Sequence, residues 1–241
     1  KAAYIGYKAA KIWTDIELNP NYLPADFKYQ FRNYLLKNEK TLKDIQNLIS
    51  LGSGIGTLDE EICRMIPFKE AIKYIPIEIN PYLATQAIER GINSILNLHS
   101  TYGIIDDFET QTSQLKDFIT NSIVRMEEKS LYVLLGGTFC NLESQHEFLA
   151  NWSQIIDKND YFLLDVFTKG ENYCAKKDLK ERITNPFTKR LIDNAIKYKF
   201  ETASSFKNSE KALNYLQLPQ ESRLERIYTD YVDIDEILTP N

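Results

Sequence analysis

The stretch Gln46 to Leu58, QNLISLGSGIGTL, constrains this chain more than any other. Gln46 to Leu51 is an apolar run suited to a buried strand, Gly52, Gly54 and Gly56 then fall on alternate positions, and the pattern turns helical from Thr57. A strand, a tight turn and a helix start follow one another. Glycine serves such a turn because it tolerates positive φ and lets a ligand approach bare backbone. The dinucleotide fingerprint G-x-G-x-x-G needs glycine at position 57, where Thr57 stands. The phosphate-cradling G-x-x-x-x-G-K-[ST] pattern needs a Lys-Ser or Lys-Thr pair, and none follows the glycines. NAD and nucleoside triphosphates are both disfavoured. The bland alternative is a glycine turn that only packs a helix on a sheet.

With 241 residues the chain has room for one α/β domain of ordinary size and a helical addition. A formal charge of -5 opposes a broad electrostatic grip on nucleic acid, and no apolar run approaches the roughly 20 residues of a membrane helix. Neither a nucleic-acid nor a membrane partner is expected. Cys63, Cys140 and Cys174 form no C-x-x-C pair, so neither a disulfide framework nor a zinc cluster is suggested. No charged-then-apolar leader opens the chain, and the expected setting is the reducing cytoplasm. His99 and His146 are assigned structural roles, and no metal is expected.

Apolar spacing predicts helices over Tyr4 to Leu18 and Pro24 to Asn38, ahead of the glycine-rich strand. After it come a helix with Asp59, Glu60 and Glu61 in its first turn, matched to the macrodipole, and a second strand over Lys73 to Ile79. Asn80 as cap, Pro81 as first helical residue and Gly91 as stop delimit a helix to Arg90. A third strand is expected near Asn93 to Leu98, with Tyr102 to Ile105 leading into Asp106-Asp107-Phe108-Glu109. A helix over Gln111 to Val124, a fourth strand over Leu131 to Leu135, a helix over Ser144 to Ile156 and a fifth strand over Tyr161 to Phe167 complete the alternation. Such alternation implies a doubly wound, mostly parallel sheet. Three parts result: a helical segment over 1–45 that covers the site, a core over 46–169, and a part over 170–241 with a helix from Leu179 to Ile196 broken near Asn185-Pro186, an exposed or edge strand from Arg226 to Ile234, and a role in binding substrate. The basic stretch Lys176 to Arg182 reads as a solvated helix face.

In a doubly wound sheet, ligands bind outside the carboxyl ends of the strands where strand order reverses. The Gly52 to Gly56 loop, Glu78, Asp107-Phe108 and Asn141 each end a successive predicted strand, so one crevice collects all four. Glu78 lies 26 residues after Gly52, close to the roughly 20-residue offset at which an acid accepts from ribose hydroxyls. Asp107 is suited to accept from an adenine amino group while Phe108 packs on the ring; a helix cap and a core aromatic are the structural alternatives.

The form G-x-G-x-G after a strand is similar to the first motif of S-adenosylmethionine (SAM)-dependent methyltransferases. Leu51-Gly52-Ser53-Gly54, Ile77-Glu78, Asp107-Phe108-Glu109 and Leu135 to Glu143 (LGGTFCNLE) together resemble the histidine Nα-methyltransferase family of ergothioneine biosynthesis. Leu18 to Pro24 (LNPNYLP) is the counterpart of that family's L-P-x-Y-Y-P-like turn. The resemblance implies a Rossmann-like class I methyltransferase with SAM as cofactor. It further implies cofactor binding by Gly52, Ser53, Gly54, Gly56, Glu78, Asp107 and Phe108, and acceptor contact by Asn141, with Tyr22 and Tyr173 as further residues orienting a small amino-acid-like acceptor. Two departures stand out: Ser50 occupies the place of the usual acid before the glycines, and Leu23 that of the second tyrosine. A protein side chain or a natural product is the alternative acceptor, and a non-catalytic SAM-fold scaffold the alternative to an enzyme. Titration with SAM separates the scaffold from the enzymes. Oligomeric state is not encoded in any motif here.

Overall fold

The computed structural model describes residues 4–166 except Asn21, Pro24, Gln111 and Met126, together with Pro186 and Arg190. Tyr173, the basic stretch over 176–182 and the expected strand over 226–234 lie outside the described residues, as does the expected helix over 179–196 apart from helical Pro186 and Arg190. Residues 4–166 belong to one compact unit, Tyr4–Asn172.

Two helices lead: α1 (Gly6–Glu17) and α2 (Ala25–Leu42). Strands and helices then alternate as β1 (Asn47–Leu51), α3 (Thr57–Met65), β2 (Ile72–Glu78), α4 (Pro81–Ser94), β3 (Leu98–Thr101), β4 (Ile104–Ile105), α5 (Thr112–Phe118), β5 (Ser130–Leu134), α6 (Gln145–Trp152) and β6 (Tyr161–Leu164). The strands form one six-stranded sheet in the order β3-β2-β1-β5-β6, with β4 also on β2 and every pairing parallel. Strand order reverses between β1 and β5, which is where a doubly wound sheet opens a crevice.

The period of two along a strand sorts the core into two layers. Leu48, Tyr74, Leu131 and Val133 face a cluster that takes in Phe31, Leu35 and Ile62 of α2 and α3. Their neighbours Ile49, Ile75, Tyr132 and Leu134 face the other, with Leu115 of α5 and Phe148 and Trp152 of α6. Both faces of the central strands are therefore buried, which is why β1 and β5 read as largely apolar runs, with Asn47, Ser50 and Ser130 as their buried polar members.

The doubly wound parallel sheet expected from the sequence is present, and its differences in detail have physical causes. Gly91 does not stop α4, which runs on to Ser94 and is capped by Ile95. The glycine instead lets the helix lie on Tyr74, since a Cβ there would come within 2.6 Å of Tyr74 Cδ1. The third strand consequently starts later, at Leu98, and consists of the half-exposed, largely polar edge residues Leu98 to Thr101 rather than the apolar run before them. The helix expected to reach Val124 is α-helical only to Phe118 and continues as a π-helical turn over Ile119–Ile123. Among the described residues no helix is long and apolar enough to cross a membrane.

Candidate active site

The β1–α3 turn is the hub of the crevice. Gly52 and Gly54 adopt φ of 68° and 55°, in the left-handed region that side chains resist. Space demands glycine as well: a Cβ on Gly52 would come 3.2 Å from Phe108 Cε1, and one on Gly54 would overlap Glu17 Oε2. Gly56 closes the turn as the first cap of α3 and faces Tyr74 and Ala87.

Two carboxylates brace this turn from opposite sides. Glu78, at the carboxyl end of β2, accepts from Gly54 N at 3.1 Å through Oε2 and from Asn80 N at 3.1 Å through Oε1. Glu17, the last residue of α1, accepts from Ile55 N at 2.9 Å through Oε2 and through Oε1 from Thr57 N at 3.2 Å and Thr57 Oγ1 at 2.6 Å. Because Gly56 has no side chain to cap α3, Glu17 satisfies the first amide of that helix, Thr57 N, from another helix, and with it Ile55 N of the turn.

A third acid stands behind the turn. Asp59 is buried and accepts from Ser50 Oγ at 2.9 Å and Tyr74 Oη at 2.6 Å. It was expected as one of three charges matched to a helix start; Glu60 and Glu61 do pair outward with Arg90 and Arg32, whereas Asp59 points into the protein. Burial pushes the Asp59 carboxyl up to about 6 and that of Glu78 to about 7, and the nearby Glu17 carboxylate adds to both. Burial raises Glu17 too.

The other predicted positions fall around this hub. Asn80 caps α4 as expected, accepting from Tyr82 N at 3.0 Å, and so fixes the chain direction directly after Glu78. Phe108 lies over Gly52 and edge-on to Phe148, 6.1 Å between ring centroids. Asp107 belongs to a tight turn in which its Oδ1 accepts from Glu109 N at 3.1 Å; α5 begins beyond it, so Asp107 is no cap of that helix. Tyr22 sits on the turn before α2, its ring edge-on to Trp13 and its hydroxyl 3.4 Å from the Gly136 carbonyl. Burial raises its phenol well above the ordinary value, with Glu17 adding to this, so the hydroxyl keeps its proton. Asn141 ends a short 3₁₀ turn over Thr138–Asn141 and is exposed. It does not cap α6; that role belongs to Ser144, whose side chain accepts from Glu147 N.

A cleft beside the turn is lined among others by Trp13, Glu17, Tyr22, Ser53, Gly54 and Gly136, while Glu78, Asp107, Phe108 and Asn141, expected to share one crevice with the glycines, do not line it. The family model of histidine-specific, SAM-dependent methyltransferases matches residues 10–216. The chain belongs to this family. It is a SAM-dependent methyltransferase with a Rossmann-like fold, and SAM is its methyl donor. Among solved structures it is similar to the plantazolicin methyltransferase BpumL in complex with triazolic desmethylPZN analog and SAH, with 13% identity, 83% of this chain and 71% of that chain covered, and a TM-score of 0.41. A search of curated protein sequences finds no match.

Several groups in the crevice of this methyltransferase escaped the sequence reading. Trp13 and Glu17 lie four residues apart and so share one face of α1, which was the only signal that this end of the helix does more than pack. Asp165 follows β6 and accepts from Gly137 N at 2.9 Å, holding the loop that carries Asn141. Its place in the apolar run Tyr161 to Phe167, at the carboxyl end of a predicted strand as for Glu78, was the signal that could have found it.

Proposed function

We propose that the enzyme holds SAM across the carboxyl ends of β1 and β2 and N-methylates a small, amino-acid-like acceptor, histidine-like in keeping with its family. In this reading Glu78 receives the ribose hydroxyls, Asp107 and Phe108 flank the adenine, and Gly52, Ser53, Gly54 and Gly56 form the turn on which the methionine part lies. The observation that carries it is the Glu78 carboxylate. The amides of Gly54, Ile79 and Asn80 hold this carboxylate in place at the end of β2, so it stands oriented to receive hydroxyls without further ordering. Two further features fit. Ser53 Oγ is buried with no hydrogen-bond partner among the described residues, and the bare Cα of Gly52 lets Phe108 close on the turn.

SAM supplies an electrophilic methyl group on a sulfonium. Its transfer is an in-line displacement that asks the protein for a neutral amine, alignment and a water-poor surrounding rather than for a covalent partner. Trp13 and Tyr22, carried by the segment over 1–45, cover the turn and keep water away. Tyr22 holds its proton and directs it to the Gly136 carbonyl, so it offers the acceptor its oxygen lone pairs and takes no proton from the amine. Asn141 stands at the open lip beyond β5, where an amide both donates to a carboxylate and accepts from an amine. Tyr173, outside the described residues, is proposed as a further acceptor contact within the part over 170–241.

Calorimetric titration with S-adenosylhomocysteine (SAH) tests the cofactor half. Glu78→Ala is expected to weaken binding by about 10- to 100-fold, the effect of leaving hydroxyl donors without a buried acceptor, on the order of 1–3 kcal/mol. Unchanged affinity removes Glu78 from the site. A panel of free amino acids with labelled SAM tests the acceptor half. Transfer to none of them moves the acceptor to a protein side chain or a natural product.

A further inference from the structure

Most side chains that line the cleft are small, apolar or neutral, and its charge balance is one-sided. Among the described residues Glu17 and Asp59 both line it, while no Lys, Arg or His does; Arg90 acts on Glu17 from outside the lining, its guanidinium bonded to the Ile55 carbonyl and to Glu60. A pocket with two acids and no base is built for a cationic group. The two acids are not equally available. Asp59 is fully buried behind the turn with a hydroxyl on each oxygen, from Ser50 and from Tyr74, whereas Glu17 is half-buried. Ser50, standing where related enzymes carry an acid, spends its own hydroxyl on that bond. Glu17 is differently placed. Its Oε1 is taken up by Thr57, but Oε2 accepts a single amide, that of Ile55, and lies directly against Gly54 in the cleft. A carboxylate oxygen with one donor has room for another. The amides of Ile55 and Thr57 and the Thr57 hydroxyl fix the carboxylate in place, so it offers that lone pair without further ordering.

We propose that Glu17 is the anionic partner of the cofactor's methionine ammonium, an acid delivered by the N-terminal helix in place of one at position 50. The inference rests on the cofactor placement proposed above. It makes α1 part of the cofactor site rather than only its cover, and it assigns the ammonium end of SAM to a side chain some distance in sequence from the glycine motif. Glu17 also caps α3, so a test has to separate the ammonium contact from the integrity of the turn.

The probes are SAH and its deaminated analogue, which keeps the nucleoside, thioether and carboxylate but has no ammonium. The readout is the ratio of their affinities, because general damage to the turn weakens both together. Wild-type protein is expected to prefer SAH by about 10- to 100-fold, the range of a charge-assisted hydrogen bond. In Glu17→Gln the preference should shrink to less than about threefold through loss of SAH affinity, the analogue being nearly unaffected. An unchanged ratio in Glu17→Gln, or a wild-type protein that binds the two equally, overturns the proposal. Should the Gln variant fail to fold, Glu17→Asp draws the charge back by one methylene and must likewise lower the ratio. Glu78→Ala keeps the two ideas apart: if it weakens neither probe the ribose placement fails, while the Glu17 ratio still decides the ammonium contact.

Discussion

At the carboxyl ends of β1 and β2 the polar side chains are buried and internally bonded, a closed end, whereas beyond β5 Asn141 is exposed among the described residues, an open one. Glu78 is 5% exposed and both its oxygens are engaged; Asp59 is 3% exposed and held by two hydroxyls. Asn141 is exposed, and Tyr22 reaches Gly136 only at 3.4 Å. The first region has its geometry fixed before any ligand arrives, at the cost of burying carboxyl groups that shift their own titration. A methyltransferase exchanges SAM for SAH in every turnover and admits and releases its acceptor as well, so it needs groups that position ligands without reordering and groups that leave a way in and out.

The largest effect that would break this contrast is at Asn141. If the open end orients the acceptor, Asn141→Ala should lower turnover by roughly 100-fold, the effect of misplacing a nucleophile by about 1 Å, and leave SAH affinity within about twofold. Methyl transfer and calorimetry on the same preparation decide it. A variant with full turnover removes Asn141 from the acceptor site.

Next in size is the pH response of the closed end. Glu78 has a folded value near 7 against an ordinary 4.5, so the cofactor-free protein takes up a proton on folding between those values. Its contribution to stability is fully present below about 4.5 and lost as pH rises through about 7. Melting temperature should therefore fall over that interval, and Glu78→Gln should flatten the fall. SAH affinity should move the opposite way, rising as the carboxylate ionises. A melting slope that the variant shares would assign the titration to another group, with Asp59 the first to examine.

A smaller effect separates the loop that carries Asn141 from the helix that follows. Ser144, not Asn141, accepts from the first turn of α6. Ser144→Ala should cost about 0.5–2 kcal/mol of stability with activity per folded molecule retained, and Asn141→Ala should leave stability unchanged. Thermal unfolding of the two variants side by side reverses the assignment if Asn141→Ala is the one that melts early.

The same contrast governs what the sequence made legible. β1, β2, β5 and the glycine turn were readable because burial on both faces forces largely apolar runs and the turn forces glycine. Glu78 was readable from its place directly after such a run. The edge strand Leu98 to Thr101 was not, because its largely polar residues lack the burial that writes a pattern. Gly91 misled because a glycine that makes room for Tyr74 looks the same as one that ends a helix. Glu17 was invisible for a different reason. Its role depends on where α1 docks, and its contacts to Ile55 and Thr57 span 38 and 40 residues of sequence. Roles set by local backbone chemistry were legible; roles created by tertiary docking were not.

The smallest expected effect concerns Asp107, which stands between the two regions in character. Its Oδ1 accepts from Glu109 N, so part of its work is to hold the turn that presents Phe108 to Gly52. If it also accepts from the adenine amino group, its two roles respond differently to substitution. Asp107→Asn keeps an acceptor oxygen for the turn or the base, but turns the other position into a donor. Its loss of SAH affinity should be about threefold, against about tenfold for Asp107→Ala, which removes both acceptors. Melting temperature separates the contributions, since a residue that only anchors the turn lowers stability without favouring Asn over Ala in binding. Calorimetry that finds both variants within twofold of wild type would make Asp107 a turn residue and leave the adenine to Phe108.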